Sequence, residues 1–199
     1  MKMPECITGV VLTAGCDEAG RGCLSGPVVA AAVILPEGYD DPGINDSKQL
    51  TSLARHQMAS RIKENALAFG IGMADPEEID RLNILQASIA AMHRALDQLA
   101  VTPGYVLVDG NRFKKYKEIP HTCIVKGDAL VTSIATASIL AKHRRDLLMA
   151  ELHQQYPQYG WDRNKGYPTK EHIDAIARFG KTPVHRKTFH IKGQLKLSL

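Results

Sequence analysis

Short apolar runs alternate with longer helical patterns along this chain, and the alternation restricts it to a fold that combines a sheet with helices. Runs over residues 9–16 and 28–35 indicate two strands, joined in a hairpin-like opening by a turn over residues 20–27. Further strands are predicted over 68–73, 105–108 and 123–125, and helices over 53–67, 84–99, 132–155 and 170–179, with a helix-start signal at Asp75-Pro76-Glu77-Glu78. We therefore expect an α/β fold, with a mixed central sheet flanked by helices on both sides.

Carboxylates follow three of the predicted strands. Asp17 and Glu18 come directly after the first strand, Asp109 follows the strand over 105–108, and Asp128 follows the strand over 123–125. If those strands are neighbours in one sheet, their ends converge and the four acids surround one site. Four carboxylates without histidine or thiolate are hard oxygen ligands that suit Mg²⁺ or Mn²⁺. In two-metal hydrolysis such a cluster holds the ions ~3.5–4 Å apart, one activating water and one stabilising the leaving oxygen.

Other readings of these acids stay open at this point. Each acid taken alone is also explained as a turn residue, and Asp128, just ahead of a helix, as a helix N-cap. In addition, adjacent residues of a strand point to opposite faces, so Asp17 and Glu18 cannot both face one site from a regular strand. A bend, or the end of the strand at Gly20, has to relieve this conflict.

Composition limits the class of protein. A chain of 199 residues fits one domain, and its formal charge of +4 is so mild that any nucleic-acid contact requires clustered basic groups. The four cysteines lack zinc-site spacing and are expected to be free thiols in a reducing cytoplasm. The apolar stretch over residues 7–14 is too short and interrupted for a lipoprotein leader, and no run reaches the ~20 apolar residues of a membrane span.

Six motifs occur in a fixed order between about residues 10 and 190. They are Asp17-Glu18-Ala19-Gly20-Arg21-Gly22, Asp46-Ser47-Lys48, Val108-Asp109-Gly110-Asn111, Lys126-Gly127-Asp128, Ser138-Ile139-Leu140-Ala141-Lys142 with Arg145-Asp146, and Lys165-Gly166-Tyr167-Pro168-Thr169. Together they resemble the ordered motifs of bacterial ribonuclease HII. Agreement of several separate motifs is far more specific than a match of any one of them.

The resemblance implies a ribonuclease H-like fold with a small helical C-terminal extension, within a single catalytic domain over 1–199. Residues 157–199 would be a helical and basic appendage that contacts the substrate. The family hydrolyses the RNA strand of RNA–DNA hybrids and cuts at single ribonucleotides embedded in duplex DNA, leaving 3′-hydroxyl and 5′-phosphate ends. By position, Asp17, Glu18, Asp109 and Asp128 would be the catalytic acids and the ligands of Mg²⁺ or Mn²⁺.

The resemblance also implies the substrate-binding residues. Gly20, Arg21 and Gly22, here called the Gly-Arg-Gly turn, would read the ribose 2′-hydroxyl, because glycine lets backbone groups approach the sugar. Tyr167 would stack on the sugar that follows the ribonucleotide. Lys48 and Arg186 are expected to hold phosphates, which positions the duplex without reading its sequence.

Three other interpretations compete with ribonuclease HII: two are of the same superfamily, and one is of a different class. Ribonuclease HIII resembles the chain less, because that family carries an extra N-terminal domain and a Gly-Thr-Gly turn, and ribonuclease HI lacks adjacent first acids. A non-catalytic module that binds RNA–DNA hybrids is the main alternative, with structural acids and affinity from the basic tail. We expect a monomer. We also expect no sliding-clamp-binding peptide, since residues 194–199 lack paired aromatic side chains.

Overall fold

A five-stranded mixed sheet forms the centre of the computed structural model, which describes residues 12–44 and 51–189. The strands are β1 (Thr13–Ala19), β2 (Val28–Ile34), β3 (Ala68–Ala74), β4 (Tyr105–Asp109) and β5 (His121–Ile124). Their spatial order is β3-β2-β1-β4-β5. Strand β2 is antiparallel to both β1 and β3, whereas β4 runs parallel to β1, and β5 runs parallel to β4. The predicted mixed sheet is confirmed.

The described part of the chain contains six α-helices. They are α1 (Ser52–Asn65), α2 (Pro76–Leu82), α3 (Ile84–Asp97), α4 (Thr132–Gln155), α5 (Trp161–Asn164) and α6 (Lys170–Phe179). The Asp75 side chain accepts a hydrogen bond from the amide of Glu78, and Pro76 occupies the first turn, as the helix-start signal predicts. None of these helices is both long and apolar enough to cross a bilayer, within the residues that the structure describes.

The sheet buries both of its faces. Even-numbered residues of β1 and β2, among them Ala14 and Ala30, pack towards α3, and odd-numbered ones such as Ala31 pack towards α1 and α4. Helix α4 lies unusually close to β1, because a Cβ built on Gly15 would be 2.2 Å from the backbone carbon of Ser133. The small residues at the start of α4 therefore allow close packing against the sheet.

A third cluster joins the C-terminal segment to the rest of the molecule. Met149 near the end of α4, Leu24 after β1 and Trp161 of α5 are buried together with Tyr159 and Ile176. The segment over 157–189 thus packs against the loop that follows β1. That loop contains the Gly-Arg-Gly turn, so the C-terminal segment lies directly behind it.

Candidate active site

The two parallel strands β1 and β4 end side by side. Cys16 is paired with Val108, so the next residues, Asp17 and Asp109, are neighbours at the carboxyl edge of the sheet. This register brings together two of the predicted strand ends. It follows from the parallel arrangement, in which equivalent ends of adjacent strands meet at the same edge.

Strand β1 continues through both of its acids without a bend. Asp17 pairs with Ala31, Glu18 with Ala30 and Ala19 with Val29, and Gly20 then ends the strand. The two carboxylates accordingly leave opposite faces, as strand geometry requires. Asp17 lies on the α4 side near Ser138, whereas Glu18 borders a cleft whose wall is formed by α3.

Mutual repulsion and burial dominate the electrostatics of these acids. Burial, reinforced by Glu18 and Asp109, raises the pKa of Asp17 to about 7, and the Ser138 hydroxyl acts in the opposite direction. Burial also raises the pKa of Glu18, although the guanidinium of Arg21 partly offsets it. Carboxylates that repel one another in this way fit a site that is completed by a cation.

The two oxygens of Glu18 differ in their contacts. Arg21 Nη1 donates to Oε1 at 2.9 Å, whereas Oε2 is buried and has no hydrogen-bond partner among the described residues. A buried carboxylate oxygen without a donor is costly unless something else satisfies it. An oxygen in this condition, beside two further carboxylates, fits the hard oxygen coordination of Mg²⁺ or Mn²⁺.

Asp109 and Asp128 are linked through the backbone. The amide of Gly127 donates to Asp109 Oδ1 at 2.7 Å, and Gly127 begins the short 3-10 helix that contains Asp128. Lys126 before it adopts a left-handed conformation, with φ of 59°. The turn that carries the fourth acid is thus fixed to the third.

Side-chain positions within 12–44 and 51–189 do not yet form a complete ligand set. No group of three or more histidine, cysteine, aspartate or glutamate side chains in those ranges is arranged to hold a metal ion. In this arrangement Arg21 donates to Glu18, and the Gly127 amide donates to Asp109. Asp17, Glu18 and Asp109 still interact electrostatically, and Asp128 is half-buried next to Gly127.

The Gly-Arg-Gly turn is exposed at its tip and anchored at its base. Gly20 is buried with φ of +94°, a conformation that disfavours other residues, whereas Arg21 and Gly22 are exposed. The point nearest to a Cβ built on Gly22 is Cε1 of Tyr167, at 3.9 Å. Tyr167 itself is 47% exposed. The turn and the aromatic ring therefore form one continuous surface beside Glu18.

The predicted phosphate contact of Arg186 needs correction. Its side chain is fully buried, and its guanidinium donates to the carbonyl oxygens of Gly20, Arg21 and Gly26 at 2.7–3.1 Å. Burial, with the nearby charge of Arg145, lowers its pKa to about 10. Arg186 faces the interior because it supplies donors to carbonyls that the turn leaves unpaired. Lys48 lies outside the described residues.

Two buried histidines hold Tyr167 from behind. The amide of Thr182 donates to Nδ1 of His185 at 2.9 Å, which places the His185 proton on Nε2. That nitrogen lies 3.2 Å from Nε2 of His172, which also accepts a hydrogen bond from Trp161 Nε1 at 3.0 Å, and His172 Nδ1 donates to the carbonyl of Tyr167 at 2.9 Å. Burial lowers the pKa of His185 to about 4, so both rings are neutral links in this chain.

The family model for ribonuclease HII matches residues 14–192, which include every described residue named in this site. The chain belongs to the ribonuclease HII family. Ribonuclease HII of Bacteroides thetaiotaomicron is 57% identical over 189 residues, covering 95% of this chain and 94% of the relative. The corresponding protein of Phocaeicola vulgatus is 57% identical over 183 residues, covering 92% and 91%.

Solved structures agree with the fold. The crystal structure of ribonuclease H2 from Pyrococcus horikoshii has a TM-score of 0.76 and 26% identity, covering 89% of this chain and 93% of that chain. Bst ribonuclease HIII, solved in complex with Mn²⁺, has a TM-score of 0.63 and 22% identity, covering 84% and 61%. The predicted family and ribonuclease H-like fold are confirmed, and the protein is a ribonuclease H enzyme that acts on RNA–DNA hybrids.

A basic groove adjoins the Tyr167 side of this ribonuclease HII site. Lys142, Arg163 and Lys165 line it, together with Arg55, which pairs with Asp146. Several basic side chains are thus clustered beside Tyr167, although Arg163 also pairs with Asp162 and Glu171. Arg163 was not anticipated from sequence, because a single arginine in a short helix carries no distinguishing signal.

Sequence reasoning also missed Ser138 and Arg145 as parts of the site. Ser138 faces Asp17 from α4, and Arg145, one of the quoted motif residues, lies behind the Gly-Arg-Gly turn. Ser138 belongs to one of the motifs quoted above, and it lies among small residues in the first half of α4 that close packing against the sheet also explains. Arg145 is buried, with 3% of its surface exposed, and charged residues are rarely assigned to the interior from sequence.

Proposed function

We propose that this ribonuclease HII cuts the RNA strand of RNA–DNA hybrids and nicks duplex DNA on the 5′ side of a single embedded ribonucleotide. The ends produced are a 3′-hydroxyl and a 5′-phosphate. The observation that carries the proposal is the closeness of the exposed Tyr167 ring to the Gly-Arg-Gly turn, 3.9 Å from the position of a Cβ built on Gly22, while Arg21 of the same turn lines a cleft with Glu18. A turn that recognises the sugar, placed beside a cluster of carboxylates that can hold metal ions, suits cleavage of the phosphodiester next to a ribose.

The four acids are proposed to hold two divalent ions. Asp17, Glu18, Asp109 and Asp128 would supply the oxygen ligands, and the unpartnered Oε2 of Glu18 supports this role. Mg²⁺ or Mn²⁺ bound there would supply Lewis-acid activation of the attacking water and stabilisation of the leaving 3′ oxygen. The Mn²⁺ complex of the structurally similar Bst ribonuclease HIII agrees with a hard-cation site in this fold.

The Gly-Arg-Gly turn is proposed to recognise ribose through its backbone. The missing side chain at Gly22 leaves the peptide groups open to a 2′-hydroxyl, which both donates and accepts hydrogen bonds. Arg186 holds the carbonyls of Gly20 and Arg21 from behind, so the peptide groups of the turn are already oriented before substrate binds. Preorganised groups of this kind lose little entropy on binding.

Tyr167 is proposed to stack on the sugar that follows the ribonucleotide. Its side chain is half-exposed, its Cε1 lies 3.9 Å from the position of a Cβ built on Gly22, and the guanidinium carbon of Arg145 lies 6.0 Å from the ring centre. A deoxyribose packs flat against such a ring, whereas an added 2′-hydroxyl would need space and a polar partner. The ring thereby favours DNA after the cleaved RNA position.

The remaining parts of the proposal concern the surroundings of the site. The basic groove of Lys142, Arg163 and Lys165 would hold backbone phosphates, and Lys48 stays a predicted phosphate ligand.

We also propose a monomer with one catalytic domain over 1–199 and a substrate-contacting appendage over 157–199. A cytoplasmic location is consistent with the free thiols of Cys16, Cys23 and Cys123. The proposed lack of a clamp-binding peptide concerns residues outside the described ranges.

Cleavage of a defined duplex tests the proposal. Incubation with Mg²⁺ or Mn²⁺ and a DNA duplex containing one ribonucleotide should give a single nick on its 5′ side. Asp109→Asn should lose metal-dependent turnover by roughly a thousandfold or more while still binding hybrid, because it removes a ligand charge that stabilises the reaction. The control is Asp174→Asn, which changes an exposed acid paired with Lys170 on α6 and should retain activity. Equal cutting of all-DNA duplex would refute the proposal.

A further inference from the structure

Arg145 connects the two loops that form the proposed substrate-reading surface. Its Nε donates to the carbonyl of Pro27 at 3.1 Å, and Nη2 donates to the carbonyl of Ser25 at 3.1 Å. Its Nη1 donates to the carbonyl of Lys165 at 2.8 Å. The first two carbonyls belong to the loop after β1, and the third lies two residues before Tyr167. One rigid guanidinium therefore bonds to both loops at once.

The same side chain lies directly behind the surface itself. A Cβ built on Gly20 would be 2.0 Å from Arg145 Nε, so the turn rests against the guanidinium with no space between them. On the other side, the guanidinium carbon lies 6.0 Å from the centre of the Tyr167 ring. The guanidinium of Arg145 therefore lies close to both the Gly-Arg-Gly turn and the Tyr167 ring.

The surroundings of Arg145 favour a geometric role over a purely stabilising one. Within the described residues Arg145 donates to three backbone carbonyls and lies against the Cys23 thiol, with no carboxylate among these partners, and only 3% of its surface is exposed. Burying a charge without a carboxylate partner is expensive, and an apolar side chain would fill the same volume at lower cost. The planar fork of arginine, however, presents donors at fixed angles, which is what joining three carbonyls requires.

We propose that Arg145 is a positioning residue that fixes the spacing between the Gly-Arg-Gly turn and Tyr167. It thereby sets the preference of the enzyme for an RNA-to-DNA junction over uniform RNA. This inference rests on the proposed function, in which the turn reads the ribose and Tyr167 reads the following deoxyribose. Only a substrate with such a junction uses both elements together, so only that substrate depends on their spacing.

Kinetics on two substrates test the inference with Arg145→Lys, which keeps the charge but loses the fork. The substrates are a DNA duplex with one ribonucleotide and a uniform RNA–DNA hybrid. The ratio of their kcat/KM values should fall about tenfold or more, since misplacement of a positioning group by ~1 Å can cost up to a hundredfold. Activity on the uniform hybrid should change much less.

A double-mutant cycle shows whether Arg145 acts through Tyr167. Tyr167→Ala should lower the same ratio, and Arg145→Lys added to it should lower the ratio little further. Additive losses in the double variant would overturn the inference. So would an equal loss on both substrates in Arg145→Lys, which is what general destabilisation predicts. Ile176→Val, a buried change elsewhere in the C-terminal cluster, controls for lowered stability.

The outcomes separate this inference from the proposed function. If the wild-type enzyme shows no junction preference, or if Tyr167→Ala keeps it, the proposed function is wrong. If Tyr167→Ala loses the preference and Arg145→Lys keeps it, the inference alone is wrong. If the lysine variant does not fold, Arg145→Gln serves as a second variant, because glutamine fits the space and retains one donor group. The ratio of kcat/KM values on the two substrates then tests the inference in the same way.

Discussion

Replacement of Gly20 by alanine should destabilise the protein more than backbone strain alone explains. Gly20 has φ of +94°, and the added methyl group would lie 2.0 Å from Arg145 Nε and 2.6 Å from its Cδ. The arginine cannot swing into solvent, because it is buried and bonded to three carbonyls. The substitution therefore strains the turn and also forces a buried guanidinium to move.

The size of the effect can be worked from these two contributions. A left-handed conformation costs a residue with a Cβ about 1–2 kcal/mol relative to glycine. Displacement of Arg145 breaks at least one hydrogen bond to a charged group, each of which contributes about 1.5–3 kcal/mol. We expect Gly20→Ala to lower the free energy of unfolding by about 3–5 kcal/mol in total.

Gly38→Ala is the matched control. Gly38 also has a positive φ, of 70°, but nothing lies within 4 Å of a Cβ built on it, so this variant reports the backbone strain alone. Urea unfolding, followed by circular dichroism, gives both free energies under the same conditions. A difference between the two variants below about 0.5 kcal/mol would refute the contact with Arg145, because even one weakened charged hydrogen bond exceeds that value.

Three further predictions follow from other contacts. Gly15→Ala should destabilise the protein by about 3 kcal/mol in urea unfolding, because its methyl group would overlap the backbone of Ser133, which no rotamer change relieves. Folded His185 has a pKa of about 4 against an ordinary 6.5, so the unfolded chain binds more protons between those values. Stability should therefore fall by up to about 3 kcal/mol as pH drops from 6.5 to 4, and His185→Gln should show a weaker dependence. Asp17→Asn should weaken Mn²⁺ binding, measured by titration calorimetry, by roughly tenfold or more, with Asp174→Asn unchanged.

Much of the fold was predictable because its signals are local. Asp75 and Pro76 start a helix wherever a chain places them together, since the side chain and ring act on the next few residues. The strand ends at Asp109 and the run before Asp128 were likewise visible as apolar segments bounded by glycine. Some strand boundaries differ from the predicted ones. Strand β1 ends at Ala19 instead of residue 16, because pairing with β2 extends it beyond its apolar run.

The roles of the buried arginines were not predictable from sequence. Arg186 bonds to carbonyls 160 and more residues earlier in the chain, and nothing local marks it as different from a solvated tail residue. Arg145 is similar, because it donates to the carbonyl of Ser25, earlier in the chain, and to the carbonyl of Lys165, later in the chain. A basic residue near a nuclease site is readily assigned to phosphate. Here the loops expose carbonyls inward, and these two arginines satisfy them.

The adjacency of Asp17 and Glu18 determines where a metal site can form. Because neighbouring strand residues face opposite sides, a pair of acids in the middle of a sheet would be separated by the sheet itself. In β1 the two acids instead lie at the carboxyl end of the strand, where Asp109 of the parallel neighbour β4 interacts electrostatically with both. Gly20 must then end the strand at once, and the same glycine opens the turn that lies against Tyr167. In the proposed function, cleavage and sugar recognition are therefore adjacent because one strand end produces both.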